Sequence, residues 1–276
     1  METTQIKNLQ EYTKTPNTIT GKVFTAEIKI ENLIFDKERL IRIYLPSDYF
    51  KNPTKRFPVI YMMDGKNLFD KYTSFMGEWG VDEIIEKRLE EGKEPYIVVG
   101  IDSATDGNQR CQEMAPSGTN LTPIDDLPNS FDAYGNILGD YIVNTLIKEI
   151  DKLFRTNKEY SIGGSSMGGL FAFYMGQKYP NIFKNSICFS PAFCLYEKTH
   201  FIREIKKLKV NNNKFYLLVG NLEYEHQFIE LTKYTYEYML KIGFQNVKYV
   251  FDIDGIHHET FWNKYFDDAL EFIINN

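Results

Sequence analysis

The sequence feature that most constrains this chain is a glycine-rich stretch near its middle. Gly164, Ser166 and Gly168 fit the pattern G-x-S-x-G. Glycine two residues before and two after the serine removes side chains that would collide if the backbone turned sharply there. A β-prone run (160–162) precedes the serine and a helix-like run (170–178) follows it, so the stretch predicts a strand, a tight turn and a helix. The alternative is a small-residue turn that merely contains a serine.

The rest of the chain alternates strand-like and helix-like segments. Residues 23–30 and 40–45 alternate between apolar and polar, which predicts an antiparallel pair of strands with one solvated face. Short apolar runs typical of buried strands occur at 58–63, 96–101, 186–189, 215–219 and 247–251. Apolar residues at helical spacing occur at 78–89, 138–153, 228–242 and 262–273. This order predicts an α/β fold with a mostly parallel central sheet and helices on both faces.

The turn at Ser166 fits one such fold in particular. A serine exposed on a sharp strand-to-helix turn is the nucleophile elbow of α/β-hydrolases. A helix that begins directly after the serine directs its dipole and free N–H groups at the place where negative charge develops during acyl transfer. The sequence therefore predicts the α/β-hydrolase fold, with Ser166 as the candidate nucleophile.

We predict that residues 1–276 form one domain. Its 276 residues contain no linker, repeat or low-complexity tract that marks a boundary. The least regular part is 103–134, where prolines stand among Gly, Asn, Asp and Ser. Long irregular loops within compact domains are commonly functional. We therefore expect this loop near the site.

Charge and cysteine content exclude several classes of partner. The net charge of −6 provides no basic surface for nucleic acid or for an anionic membrane. The three cysteines are odd in number and lack C-x-x-C spacing, which argues against structural disulfides and favours a reducing compartment. The amino terminus has no apolar segment, and no run is long enough to span a bilayer. The expected location is the cytoplasm, and the sequence does not specify an oligomeric state.

A serine nucleophile needs a base. In α/β-hydrolases the chain order is serine, acid, histidine, with the histidine on the loop after the last strand. Residues 252–259 are that predicted loop, and they contain His257 and His258. Position and order thus favour one of these two histidines as the base over a histidine that is merely polar surface.

The acid is expected after the penultimate strand, at residues 215–219. Glu223 stands there, with Glu225 two residues further on. Asp252 and Asp254 precede the histidines and are rivals. Glu223 is favoured because that loop opens at the same sheet edge as the elbow and the histidine loop.

Further residues are candidates for binding the substrate. Lys66 and Asn67 follow the predicted strand 58–63, at the strand end where α/β folds bind ligands; an ordinary Asp-Gly turn is the alternative. Phe193 lies in a stretch that could form a pocket wall, and Trp262 is a further candidate for contact with the substrate. Arg110 lies in the long loop and is a candidate for the rim of the site, or else forms a solvated ion pair with Glu113.

The sequence indicates neither a metal nor an organic cofactor. It has no H-x-H or H-E-x-x-H motif, no carboxylate-rich cluster for a metal, and no G-x-G-x-x-G after a predicted strand. The predicted catalytic machinery needs no cofactor.

Several segments together resemble the esterase D-like (Putative esterase) family. They are 61–70, 77–82, 164–169, 219–223 and 257–262, which occur in the family's order from about Ile30 onward. This family includes feruloyl and acetyl-xylan esterases, siderophore trilactone esterases, S-formylglutathione hydrolases and mycolyltransferases. The resemblance implies His257 as the base, because the family's tail pattern of histidine, glutamate and tryptophan falls on His257, Glu259 and Trp262.

The resemblance also implies an oxyanion hole formed by the backbone N–H groups of Lys66 and Met167. Relatives usually carry glutamine at the position of Lys66, and since the main chain acts there, the implied role is unchanged. The expected function is a serine carboxylic-ester hydrolase that acts on a small-molecule ester through Ser166, His257 and Glu223. The alternatives are an acyltransferase that uses an alcohol or sugar acceptor on the same triad, and a non-catalytic hydrolase-like binding module.

Overall fold

The structure is a computed structural model that describes residues 5–117, 119, 132–223 and 226–274. Its strands are β1 Lys7–Glu11, β2 Lys22–Lys29, β3 Glu38–Leu45, β4 Phe57–Met63, β5 Ile97–Ile101, β6 Thr156–Ser165, β7 Phe183–Phe189, β8 Lys214–Leu222 and β9 Val247–Ile256. Its α-helices are α1 Ser47–Lys51, α2 Val81–Glu90, α3 Gly107–Met114, α4 Gly135–Tyr141, α5 Ile147–Leu153, α6 Met167–Lys178, α7 Lys198–Ile205, α8 His226–Ile242 and α9 Glu259–Ile274. A π-helical turn at Ile142–Leu146 joins α4 to α5.

The chain divides into two compact units. Unit 1 comprises Met1–Ser103, Gly139–Ser161 and His258–Glu271, and unit 2 comprises Ala104–Leu138, Ile162–His257 and Phe272–Asn276. Strand β6 contributes residues 156–161 to unit 1 and residues 162–165 to unit 2.

Unit 1 contains the strands β1-β2-β3-β5-β4 in that order. The pairs β1–β2, β2–β3 and β3–β5 are antiparallel, whereas β4 and β5 are parallel. Strands β4 and β5 are buried along their whole length, as their continuous apolar sequences predict. The predicted antiparallel pair at the start of the chain is confirmed as β2 and β3.

Unit 2 contains β7-β8-β9 in order, and both pairs are parallel. Strand β6 stands between β4 and β7 in the strand order. Helices precede or follow each of these strands along the chain. The prediction of an α/β fold with a mostly parallel central sheet flanked by helices is therefore confirmed.

Two predicted loops contain regular structure. Residues 107–114, in the stretch that we expected to be irregular, form α3, which begins after Asp106, whose carboxylate accepts a hydrogen bond from the Gln109 N–H. The last strand does not end at residue 251 as predicted but continues to Ile256. It does so because β9 pairs with β8 beyond that point, with Leu222 opposite Ile256. Residues 118 and 120–131 of the expected long loop lie outside the described residues.

Candidate active site

Ser166 is the single residue between a strand and a helix. Strand β6 ends at Ser165 and α6 begins at Met167. Ser166 has φ 57° and ψ −120°, a conformation that costs a non-glycine residue free energy and persists only where neighbouring structure holds it. Its N–H donates to the Phe189 carbonyl at 2.9 Å, and its own carbonyl accepts the Ala192 N–H at 3.0 Å. The end of β7 and the segment directly after it therefore hold the turn from both sides.

The glycines around the turn are required by close backbone approach. A Cβ atom on Gly164 would lie 2.7 Å from the carbonyl carbon of Gly168. A Cβ atom on Gly169 would lie 2.7 Å from the Phe189 carbonyl oxygen. Because these neighbours are main-chain atoms, no side-chain movement relieves the clash. The turn thus has the steric demand that its sequence pattern predicts.

Three polar residues directly follow the three parallel strands of unit 2. Ser190 follows β7, Glu223 follows β8 and His257 follows β9. Since parallel strands end at one edge of a sheet, the topology brings residues far apart in the sequence to the same edge.

Glu223 is the centre of a hydrogen-bond network at this edge. Its side chain is fully buried. One carboxylate oxygen accepts the Ser190 hydroxyl at 2.6 Å and the Gly220 N–H at 2.7 Å. The other lies 3.0 Å from Nδ1 of His257. All these partners are suited to a carboxylate, since each can donate a hydrogen bond to it.

The contact with Glu223 fixes the orientation of the His257 ring. An ionised carboxylate can only accept, so the 3.0 Å contact requires the proton on Nδ1. Nε2 then carries the lone pair that a general base needs. The Phe228 ring packs against the imidazole with 5.0 Å between the ring centroids, and the His257 side chain is 12% exposed.

His258 has different surroundings within unit 1. Its Nδ1 lies 2.9 Å from the Thr260 hydroxyl, and its Nε2 lies 3.2 Å from the Met76 carbonyl. A Cβ atom on Gly77 would lie 2.9 Å from the His258 ring. Both ring nitrogens therefore have protein partners.

The rival acids differ from Glu223 in position. Asp252 and Asp254 belong to β9, not to a loop as we expected. Asp254 is exposed, and its N–H donates to the Asp252 carboxylate at 2.9 Å. Glu225 lies outside the described residues. Glu223 Oε2, by contrast, lies 3.0 Å from Nδ1 of His257.

The two candidate oxyanion residues belong to different units, and each follows a strand. Met167 begins α6, and the first N–H groups of a helix have no partner within that helix. Lys66 lies in the 3₁₀ turn Gly65–Asn67 after β4. The Lys66 carbonyl accepts the Thr73 hydroxyl at 2.7 Å, which fixes the peptide plane on that side of the residue.

The Asn67 side chain uses both ends of its amide within unit 1. Its Nδ2 donates to Glu259 at 3.0 Å, and its Oδ1 accepts the Phe75 N–H at 3.0 Å. Trp262 is 4% exposed and packs against Trp79 with 5.6 Å between the ring centroids. These contacts give both residues a structural role in unit 1. Their proposed contact with substrate stays a prediction.

Phe193 lines a pocket in unit 2. It is fully buried in the 3₁₀ turn Phe193–Leu195 and packs against Phe173 and Phe201. The pocket has a volume of about 390 Å³, and Tyr196 and His200 also line it. The pocket is large enough for a small organic molecule.

Arg110 is a half-buried residue on α3.

Sequence reasoning missed Ser190 and Phe228. Ser190 is not among the candidates named above, although its place directly after a buried strand is a usable signal. Phe228 was assigned to a helix face, and nothing in the sequence connects it to His257.

No helix in the described part of the chain is long and apolar enough to cross a membrane.

Comparisons with known proteins identify the family of this chain. Residues 33–273 match the model of the Putative esterase family. The chain is 26% identical over 208 residues to the ferri-bacillibactin esterase BesA of Bacillus subtilis (strain 168), which covers 70% of this chain and 69% of that protein.

Solved structures share the fold. The BES protein from Bacillus cereus superposes with a TM-score of 0.68 at 22% identity, covering 96% of this chain and 99% of the other. The siderophore hydrolase EstA from Aspergillus nidulans has a TM-score of 0.68 at 14% identity, covering 94% of each chain. Because the family model spans most of the sequence, the chain belongs to the Putative esterase family of carboxylic-ester hydrolases.

Proposed function

We propose that this esterase works through an acyl-enzyme on Ser166, with His257 as the base and Glu223 as the acid. The observation that carries the proposal is the contact between Glu223 and Nδ1 of His257 at 3.0 Å, in the unit that also contains the constrained Ser166 turn. An orienting acid, a histidine and a serine on a tight turn are the parts that serine ester hydrolysis uses.

The reaction divides into two steps. In the first, His257 Nε2 takes the hydroxyl proton as Ser166 Oγ attacks the ester carbonyl, and the imidazolium then gives that proton to the departing alcohol. In the second, water attacks the acyl-serine and loses its proton to His257, and Ser166 leaves protonated with the free acid as product. Glu223 keeps the Nδ1 proton in place and stabilises the imidazolium that forms in each step.

The tetrahedral intermediates carry a negative oxygen that needs donors. For this role we propose the backbone N–H groups of Met167 and Lys66, the first because it begins α6 and the second from the family resemblance. Donors of this kind contribute about 3–4 kcal/mol each to transition-state stabilisation in serine hydrolases.

For the substrate we propose an ester of a siderophore, with the trilactone class tested first. The support comes from relatives: BesA is named a ferri-bacillibactin esterase, and EstA a siderophore hydrolase. Iron-loaded and iron-free trilactones, an aryl ester, a thioester and simple acetyl esters should be compared by kcat/KM. A preference for an ester class other than trilactones would overturn the substrate assignment without affecting the mechanism.

A fluorophosphonate probe tests the mechanism directly. The probe should label wild-type protein at one serine, identified by peptide mass spectrometry as Ser166, and Ser166→Ala should lose both the label and activity. Ser165→Ala is the matched control, because Ser165 is the buried neighbour at the end of β6, and it should retain most of both. Labelling at Ser165, or equal loss in both variants, would contradict the assignment, and a wild-type protein that does not react would favour a binding module.

Product analysis separates the two catalytic alternatives. With an added alcohol or sugar, a hydrolase releases the free acid, whereas an acyltransferase forms a new ester.

The low cysteine content remains the basis for proposing a cytoplasmic location, which cell fractionation can test.

A further inference from the structure

Three carboxylates meet at the beginning of α2, apart from the residues proposed for catalysis. Glu78, Asp82 and Glu83 each contribute one oxygen, and these oxygens all lie within 4.8 Å of one another. Asp82 is fully buried, and the other two are half-buried. Like charges at this distance repel each other, and burial removes the water that would screen them. The group therefore requires a positive counter-charge or a proton.

Hydrogen bonds within unit 1 satisfy only part of this cluster. The Thr20 N–H donates to Asp82 Oδ2 at 2.7 Å, and the Thr18 hydroxyl lies 2.9 Å from both oxygens of Glu78. In contrast, Asp82 Oδ1 and Glu83 Oε2 are buried and receive no hydrogen bond from a described residue outside the cluster, while the Asp82 and Glu83 carboxylates interact with each other. An unpaired oxygen on a fully buried carboxylate is rare in folded proteins.

No neighbouring cation balances the three charges. Within the described ranges, no lysine or arginine forms an ion pair with Glu78, Asp82 or Glu83, and Lys71 acts on Glu78 only through longer-range attraction. Asp82 and Glu83 lie in the first turn of α2, where the helix dipole favours negative charge. The dipole explains an exposed carboxylate at such a position. It does not supply a partner for the buried oxygens Asp82 Oδ1 and Glu83 Oε2.

We propose that Glu78, Asp82 and Glu83 bind one calcium ion. Calcium binds oxygen ligands at about 2.3–2.6 Å, so two ligands on opposite sides of one ion lie roughly 5 Å apart. A cluster whose oxygens lie within 4.8 Å of one another fits around such an ion. Calcium also accepts irregular geometry and completes its shell with water, whereas magnesium demands near-ideal octahedral geometry and shorter bonds. The ion would supply the missing partner of both buried oxygens.

The site would be structural. Through its contact with Thr20, Asp82 joins the segment before β2 to α2, and Glu78 makes a second connection to that segment through Thr18. A bound ion would hold the carboxylates in the positions that accept these hydrogen bonds. Neither Ser166 nor His257 belongs to the cluster, so the ion has no place in the proposed chemistry.

A proton is the competing occupant. In the absence of an ion, burial together with the neighbouring Glu83 carboxylate raises the pKa of Asp82 above its ordinary value. A cluster that simply shares a proton between Asp82 and Glu83 would bind calcium no better than an ordinary acidic surface does.

Terbium luminescence distinguishes these occupants. Tb³⁺ takes the oxygen ligands of calcium and emits when a nearby tryptophan is excited, and Trp79 directly follows Glu78 in the chain. Protein freed of metal by a chelator should give sensitised Tb³⁺ emission that saturates at one ion per chain and that Ca²⁺ displaces. Asp82→Asn and Glu78→Gln should each weaken binding more than about 10-fold, since loss of even an outer-shell partner costs that much. Glu90→Gln is the matched control, because Glu90 is exposed at the other end of the same helix.

Several results would overturn the proposal. These are the absence of saturable emission, equal emission from all three variants, and displacement by Mg²⁺ at lower concentration than by Ca²⁺. If Asp82→Asn fails to fold, the half-buried Glu78 decides the question, because Ca²⁺ should raise the melting temperature of wild type and of Glu90→Gln but not of Glu78→Gln. Unchanged fluorophosphonate labelling in Glu78→Gln would show that the proposed active site is intact.

Discussion

The hydroxyl of Ser190 donates to Oε1 of the buried Glu223 at 2.6 Å, while Oε2 of the same carboxylate lies 3.0 Å from His257. Because Ser190 contacts the proposed acid, it is a candidate positioning residue for His257. It also has φ 43°, a left-handed conformation that is unfavourable for serine and is held here by the bond from its N–H to the Leu218 carbonyl at 2.7 Å.

Ser190→Ala should lower kcat by about 10-fold, equivalent to about 1.4 kcal/mol of transition-state stabilisation, with little change in KM. The reason is that Glu223 keeps its contacts with Gly220 and His257 but loses one of the two donors to Oε1. Steady-state kinetics with an activated ester measure the effect.

Ser186→Ala is the matched control for this change. Ser186 is a fully buried serine on β7, and its hydroxyl has no hydrogen-bond partner in the described part of the chain. This variant should retain wild-type kcat. Equal losses in the two variants would mean that Ser190 acts through general packing and not through Glu223.

Glu223→Gln should lower kcat by roughly 10²–10⁴-fold, because an amide neither holds the Nδ1 proton with the same strength nor stabilises the imidazolium. Some activity should remain, since serine, histidine and oxyanion donors are intact. Asp254→Asn is the control, because Asp254 is exposed on β9, and it should cost much less. Near-wild-type turnover in Glu223→Gln would indicate another acid or a Ser166–His257 pair.

His257→Ala should abolish turnover, whereas His258→Ala should retain measurable kcat and lose stability. The loss in stability follows from the contacts of His258 with Thr260 and Met76, and about 1 kcal/mol is expected for such hydrogen bonds. Parallel measurements of kcat and urea unfolding separate the two effects. A larger drop in kcat for His258→Ala than for His257→Ala would mean that the histidines have been assigned in the wrong order.

The fold could be predicted from the sequence, as could Ser166, Glu223 and His257 as candidate residues. Buried strands such as β4 are continuous apolar runs, and the Ser166 turn carries its glycines in sequence, so local patterns were enough. The end of β9 could not be predicted, because Asp252, Asp254 and Gly255 disfavour strands and are held in one by pairing with β8.

The same pairing explains why Gly255 does not lie in the loop that we predicted for residues 252–259. A Cβ atom on Gly220 would lie 2.4 Å from the backbone of Gly255, so the two glycines allow close approach of neighbouring strands where the pairing register shifts. The contact between Ser190 and Glu223 could not be predicted from the sequence either, because it joins the ends of two strands and depends on their register. Edge strand β1 was missed because all its residues are exposed and lack an apolar pattern.

Gly164→Ala should destabilise the protein by about 1–3 kcal/mol, the usual cost of forcing extra atoms into a packed site. Its new methyl group would lie 2.7 Å from main-chain atoms of Gly168, so the turn itself must shift and activity should fall as well. Gly107→Ala is the control, since a Cβ atom there meets nothing within 4 Å. Equal unfolding midpoints for the two variants in urea would contradict the steric account of the turn.

The last prediction concerns stability at alkaline pH. Full burial raises the pKa of the Cys188 thiol well above its ordinary value. In the unfolded chain this thiol ionises near pH 8.5, while in the folded protein it keeps its proton. Folding stability that is fully present below about pH 8.5 should therefore decline as the pH rises, by up to about 1.4 kcal/mol per pH unit from this one group.

Cys188→Ala isolates the contribution of this thiol. The variant should lose some stability at pH 7 through a smaller side chain, but its free energy of unfolding should fall less steeply than that of wild type between about pH 8.5 and 10. Cys111→Ala is the control, because Cys111 is only half-buried, and its slope should match wild type more closely. In native protein a thiol reagent should likewise modify Cys111 before Cys188. Identical slopes in wild type and Cys188→Ala, or rapid native labelling of Cys188, would show that the thiol is not held protonated by burial.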